Sequence, residues 1–382
     1  MPHPALSPRR LAAAAGLALA GAGLLAGTVL ASTGAAGVAA DATSAAPVLA
    51  STVPAPPGGP VPRGFQPASM TFVSASEGWV LGTAPCAHKP CTSVLRTTDG
   101  GRSWVGIPAP RFPLAPASWL GGLHHLRFAD PLDGFAFGSQ LWVTHDGGAS
   151  WRRVPMPGQI ADLEASAGVA YAAVTDRHGT VTVYRSRARG GAWLPVPGLP
   201  AHVPGFAALG TITLHGTAGW VILGNRLYAT QSGRAWVREP ARCALGMASV
   251  GAYDTRRVTL LCVGDPAAGS ALKVLYASGD GGAHFRRAGA PPISGDGFDL
   301  LAQPTPRHIF LATTSGASWL YVSGNGGRTW GQSLFIADGG AGWSDFGFTT
   351  SIQGAAIDGN LLSGSHMYMT WDAGRTWHAI RF

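Results

Sequence analysis

Aspartates at 99, 146, 280 and 372 share one setting, two residues after a Ser or Thr and five before an aromatic, and Asn325 takes the same place in a fifth copy. A carboxylate so placed could act as a general base, or it could accept backbone N–H groups in a turn. The residues around it favour the second role. The shared octet is [ST]-x-D-x-G-x-[ST]-W, complete at 97–104, 144–151 and 370–377. Asp and Ser/Thr bond nearby backbone groups in turns. Gly supplies the positive φ that a tight turn needs. The closing aromatic starts the next strand and is expected to bury its ring beneath the bend. The chemistry of the octet therefore reads as structural, resting on Asp99, Asp146, Asp280, Asn325 and Asp372 with Trp104, Trp151, Phe285, Trp330 and Trp377. Two worn copies, 186–193 and 230–236, keep Trp193 and Trp236 without the acid.

Catalytic groups outside the octets are sparse. Glutamate occurs only at 77, 164 and 239, and lysine only at 89 and 273. Among the remaining aspartates, Asp130, Asp133, Asp162, Asp254, Asp299, Asp338 and Asp345 look scattered, and several read as turn residues. Glycoside hydrolysis asks for paired carboxylates at a set separation, and no such pair is evident. His124 and His125 are adjacent, so in a strand they point to opposite faces and do not readily share a metal. No G-x-S-x-G, H-E-x-x-H or phosphate-loop motif occurs. We expect no metal, no cofactor and no catalytic residue.

The closing aromatics at 104, 151, 193, 236, 285, 330 and 377 recur every forty to fifty residues. That period marks repetition of one supersecondary unit. Each octet ends a pattern of short strands, with Gly-Trp-Val or Gly-Phe-Ala cores at Trp79, Phe135 and Trp220 read as half-buried inner strands. Four strands per unit make a propeller blade. High Gly (55) with 13 Trp and few charged residues suits short strands and many turns. The expectation is an all-β, seven-bladed β-propeller of four-stranded antiparallel blades, with the octet turns between third and fourth strands. No blade is expected to mix strands from both ends of the chain.

Three segments are expected: 1–40, 41–64 and the propeller at 65–382. Arg9-Arg10 precede an apolar stretch, and Val38-Ala39-Ala40 offers small residues for cleavage, which reads as an export signal peptide. About 20 apolar residues could also span a bilayer, so an uncleaved anchor facing outward is the rival. Residues 41–64, rich in Ala, Pro and Ser, read as a flexible linker. Four cysteines suit an exported, oxidising compartment. Local pairing, Cys86 with Cys91 and Cys243 with Cys262, is the simplest of three connectivities. The net charge of +8 comes with no basic run longer than two, so no nucleic-acid partner is expected.

The octets resemble the BNR or Asp-box repeats of the sialidase-like superfamily, over about residues 65–382. Spacing and strand cores look most like bacterial relatives of the photosystem II stability and assembly factors. That resemblance implies a propeller that binds or scaffolds, and it does not fix an activity. A sialidase would need an arginine triad, a Tyr–Glu pair and an Arg-Ile-Pro-like motif, and the fragments at 62–64 and 110–113 do not match. Function concentrates in long loops on a rigid scaffold. These lie on the rim opposite the octets: 108–122 with Arg111, Phe112 and Trp119; 195–210 with His202 and Phe206; 336–343 with Asp338 and Trp343; and the 86–91 loop with Lys89. Exposed aromatics beside Arg suit a protein or glycan contact. The alternative for Phe112, Trp119 and Trp343 is packing between blades. The reading is a secreted, monomeric, non-enzymatic scaffold for a protein or cell-envelope glycan partner; the alternative is a diverged sialidase-like protein that binds or hydrolyses glycans.

Overall fold

The computed structural model describes residues 58–87, 90–115, 121–200, 211–240, 243, 246–295, 297–337 and 342–382. Twenty-eight strands form seven four-stranded antiparallel sheets. Blade 1 is β1 (Gln66–Phe72), β2 (Gly78–Pro85), β3 (Pro90–Thr97) and β4 (Val105–Ile107). Blade 2 is β5 (Leu123–Phe128), β6 (Gly134–Gly138), β7 (Leu141–Thr144) and β8 (Arg152–Val154). Blade 3 is β9 (Gln159–Ser166), β10 (Val169–Thr175), β11 (Val181–Arg187) and β12 (Leu194–Pro195). Blade 4 is β13 (Thr211–His215), β14 (Ala218–Leu223), β15 (Arg226–Thr230) and β16 (Val237–Arg238). Blade 5 is β17 (Gly246–Ala252), β18 (Val258–Ala267), β19 (Ser270–Ser278) and β20 (Arg286–Gly289). Blade 6 is β21 (Gly297–Ala302), β22 (Ile309–Thr314), β23 (Ser318–Ser323) and β24 (Gly331–Ile336). Blade 7 is β25 (Trp343–Phe348), β26 (Gly354–Asn360), β27 (Gly364–Thr370) and β28 (His378–Ile380).

First strands of successive blades touch one another around the ring and so line its axis. The Gly-aromatic cores expected as half-buried inner strands are instead second strands, and β6 and β14 are buried at every residue. Each blade lies between two neighbours, so its second strand has apolar packing on both faces. Trp79 shows the result: fully buried, it stacks on Phe128 of the next blade at 3.9 Å. Its indole N–H donates to Gly147 O in that blade's octet turn. Trp220 does the same to Gly281 O across blades 4 and 5.

The octets fold as expected. Asp99 Oδ1 accepts the Thr97 hydroxyl (2.8 Å) and the amides of Arg102 (3.0 Å) and Ser103 (2.9 Å), while Gly101 N donates to Thr97 Oγ1. Equivalent bonds recur at Asp146, Asp280, Asn325 and Asp372. Burial works against the charge on Asp99, but the bonds from Ser103, Thr97 and Arg102 outweigh it and pull its pKa down to about 2. The closing aromatics differ from expectation. Trp236 is buried, but Trp104, Trp151, Trp193, Phe285, Trp330 and Trp377 keep one edge in solvent, because the outermost strand has no sheet beyond it. Trp104 and Trp330 donate to their own turns, at Gly101 O and Gly327 O. Trp151 and Trp377 donate to the preceding blade's wall, at Pro108 O and Ser333 Oγ.

Among the described residues no strand crosses between blades, and side chains close the ring. Phe65, Met70, Val80 and Leu95 of the first unit pack on Ala355, Ile357, Met367 and Met369 of the last. Phe382 sits edge-on to Phe65 and to Trp104. Gly101 sits at φ 87°, a conformation that favours glycine, and a Cβ there would also press on the end of the Met369 side chain. Ser365 Oγ donates to Pro67 O, and Trp371 Nε1 to Gly100 O. The last residues of the expected linker are held to the sheet: Gly59 exchanges two backbone bonds with Gly106 of β4, and Val61 joins the closing cluster. Both disulfides, Cys86–Cys91 and Cys243–Cys262, follow the local pairing.

Candidate functional site

Six of the seven first strands carry a β-bulge near the start: β1, β5, β9, β17, β21 and β25. At or beside each bulge stands a polar residue: Ser69, His125, Asp162, Ser249, Asp299 and Asp345. A bulge re-aims a side chain, and here several reach the backbone of the next blade. Asp345 Oδ2 accepts Met70 N, Ser69 Oγ accepts Leu126 N, Asp162 Oδ2 accepts Ile212 N, and Ser249 Oγ accepts Leu301 N. Asp162, Asp299 and Asp345, which look scattered in the sequence, are therefore axial. Asp130 and Asp254 are turn residues, each taking two backbone N–H groups in the bend between first and second strands.

Arg127 of β5 binds this belt together. Its Nε donates to Glu164 Oε1 of blade 3 at 2.8 Å, and its Nη1 to Asp345 Oδ2 of blade 7 at 3.0 Å. Nη1 also reaches Met70 O of blade 1 and Leu126 O. One guanidinium thus spans blades 7, 1, 2 and 3. Burial opposes charge on Asp345, but Arg127 and the Met70 amide outweigh it and hold the carboxyl below its ordinary range. Asp162 has the reverse balance. Burial, then the nearby Glu164 charge, pushes it up to about 7. Burial also raises Glu164, against the pull of Arg127. His125 is driven down to about 4 by burial and by Arg127, which keeps it neutral at pH 7. The cluster can hold a fixed charge pattern on the axis. Both carboxylate oxygens of Asp345 and Oε1 of Glu164 already have donors. Arg127, Ser69 and Glu164 carry no motif in the sequence; the available signal was a polar residue inside an otherwise apolar first strand.

Of the expected rim residues, Arg111 is exposed and Phe112 is partly buried against the Trp79 cluster, with its carbonyl accepting Thr92 Oγ1. Trp343 begins β25 and is buried, its indole N–H shared between Thr313 O and Trp319 O, so it packs between blades. Lys89, Trp119, His202, Phe206 and Asp338 lie outside the described residues. At the worn octet 186–193, Ala188 replaces the acid and leaves Ser186 Oγ without a hydrogen-bond partner. Ser186 borders a cleft with His145, whose Nδ1 lies 2.7 Å from Asp133 Oδ1. These are the residue types of a nucleophilic triad. However, Ser186 is buried and makes no bond to His145, and the cleft, roughly 20 Å³, has room for a single water.

No family model and no curated protein matches the chain. Solved structures do. The chain is similar to YCF48 bound to D1 peptide, with 18% identity and a TM-score of 0.55 over 81% of this chain and 93% of that one. It is similar to YCF48 from Cyanidioschyzon merolae at 17% identity and 0.53, covering 84% and 99%. The propeller domain of the Trilobed protease from Pyrococcus furiosus, described as having an open velcro topology, matches at 10% and 0.52, covering 83% and 98%. The likeness is one of fold.

Proposed function

We propose that this chain is an exported, non-enzymatic propeller scaffold that binds a protein or cell-envelope partner through its long-loop rim. The observation that carries the reading is the engaged axis. Where a propeller enzyme would gather reactive groups, Arg127 is bonded to Asp345, Glu164 and backbone carbonyls, and Asp345 and Asp162 hold backbone amides of the next blade. A protein partner is supported by the fold shared with YCF48, which has been solved with a bound peptide. Asp-box kinship is supported by the same bond pattern at five turns. Export is supported by the 1–40 signal or anchor and by two disulfides.

The test couples affinity purification of the native chain with a glycan array and a panel of chromogenic glycosides. The expected result is one stoichiometric protein partner, lost on Arg111→Ala or Trp119→Ala, and no turnover. Glycoside turnover abolished by Asp162→Asn would overturn the reading in favour of a sialidase-like enzyme.

A further inference from the structure

The outer wall of the ring is polarised. The third and fourth strands of blades 2–5 carry Arg152, Arg153, Arg185, Arg187, Arg226, Arg238, Arg286 and Arg287, and those strands contain no Asp or Glu. All eight side chains are exposed, and none makes a salt bridge among the described residues. The same strands of blades 6 and 7 carry no Arg or Lys, and blade 1 has only Arg96, held by Glu77. Charges on edge strands commonly guard against edge-to-edge pairing. The outer strand of blade 6 does without them and blade 7 has only Arg381, just past β28, so edge protection does not explain the concentration in blades 2–5. Glu239 directly follows β16 and lies beside Asp280 and His284; Asp146 and Asp280 are bonded to their own turns, and Asp176 to backbone amides of its turn.

Apolar residues occupy the middle of this belt. The first fourth-strand residue reads Arg152, Leu194, Val237 and Arg286 across blades 2, 3, 4 and 5. Leu194 is 62% and Val237 59% exposed. A lone exposed apolar side chain needs no explanation, but these two stand at one position in adjacent blades with an arginine pair on either flank. A flat surface laid against a seven-bladed ring meets about two blades, here 3 and 4, whose Arg185, Arg187, Arg226 and Arg238 stand beside Leu194 and Val237. Apolar side chains at the contact and arginines around it are the pattern of interfacial membrane binding, and anionic headgroups supply the complementary charge.

We propose that the wall of blades 3 and 4 docks side-on against an anionic lipid bilayer, with Leu194 and Val237 entering the headgroup layer between arginines. The fate of this surface does not depend on the rim reading. The test is sedimentation of the full chain with vesicles of phosphatidylcholine, alone or mixed with phosphatidylglycerol. The N-terminal segment is common to every variant, so differences report the belt. Partition onto the mixed vesicles is expected to exceed that onto phosphatidylcholine and to fall with salt. It should drop by at least about tenfold in the variant Arg185→Ser/Arg187→Ser/Arg226→Ser/Arg238→Ser, and by about tenfold in Leu194→Ser/Val237→Ser. The control Gln332→Ser/His378→Ser, on blades 6 and 7, should bind like the parent. Unaltered melting checks that each variant is folded. No preference for phosphatidylglycerol, or full binding by the arginine variant, overturns the proposal. Full binding by Leu194→Ser/Val237→Ser also overturns it, because charge alone would then suffice and an acidic polymer or protein face would be the partner.

Discussion

Removing Asp345 should open the ring at its seam. This carboxylate is 6% exposed and accepts Met70 N, Ser69 Oγ and two N–H groups of Arg127. Asp345→Ala therefore leaves a mostly buried guanidinium short of its counter-charge and a buried backbone amide without an acceptor. Breaking a buried ion pair from one side costs about 3–5 kcal/mol. Asp162 makes a similar inter-blade bond, to Ile212 N, but lies away from the seam and has no partner cation in contact. Asp162→Ala should cost about 1–3 kcal/mol, the desolvation of one amide. Urea unfolding followed by tryptophan fluorescence measures both. The pair is coupled, so Arg127→Met with Asp345→Leu should cost clearly less than the sum of Arg127→Met and Asp345→Leu alone. Additive losses, or an Asp345→Ala cost below about 1 kcal/mol, would refute the idea that this pair clasps the first and last blades.

Two further outcomes follow from the same geometry. Asp162 has a folded pKa raised to about 7, against about 3.9 in the unfolded chain. The folded state then holds the proton between those values, so this group's contribution is full below pH 4 and is lost as pH rises toward 7. Stability measured across that window should decline less in Asp162→Asn than in the parent; identical profiles would contradict the shift. In the octets, Asn325 Oδ1 accepts the amides of Arg328 and Thr329 as Asp99 Oδ1 accepts those of Arg102 and Ser103. Asp99→Asn should thus cost under about 0.5 kcal/mol and Asp99→Ala about 1 kcal/mol, as for loss of a capping side chain, read from thermal melts.

The repeat was legible because each octet is local: Thr97, Asp99, Gly101 and Ser103 bond one another within one bend, so their spacing survives in the sequence. Blade number and strand count followed from the period. The axis was not legible in that way. Arg127 meets Asp345 218 residues away, and Asp345 meets Ser69 276 away, so only the closed ring brings them together. Trp343 shows the limit of reasoning from loops. Its neighbours Gly339, Gly340 and Gly342 suggest a rim, yet β25 begins at Trp343 and turns the ring into the packing between blades. Trp151 shows the limit for strands, because an aromatic at the start of an outermost strand has packing on one side only.

Every sheet is made from four consecutive stretches of chain, and none borrows a strand from the far terminus. An in-frame duplication or loss of some forty-five residues would therefore add or remove a whole sheet and never leave half of one. Rings that share a sheet between their ends lack that freedom. In this lineage of folds the number of blades can drift by single genetic events, provided that whichever unit comes last still presents an acid to the first.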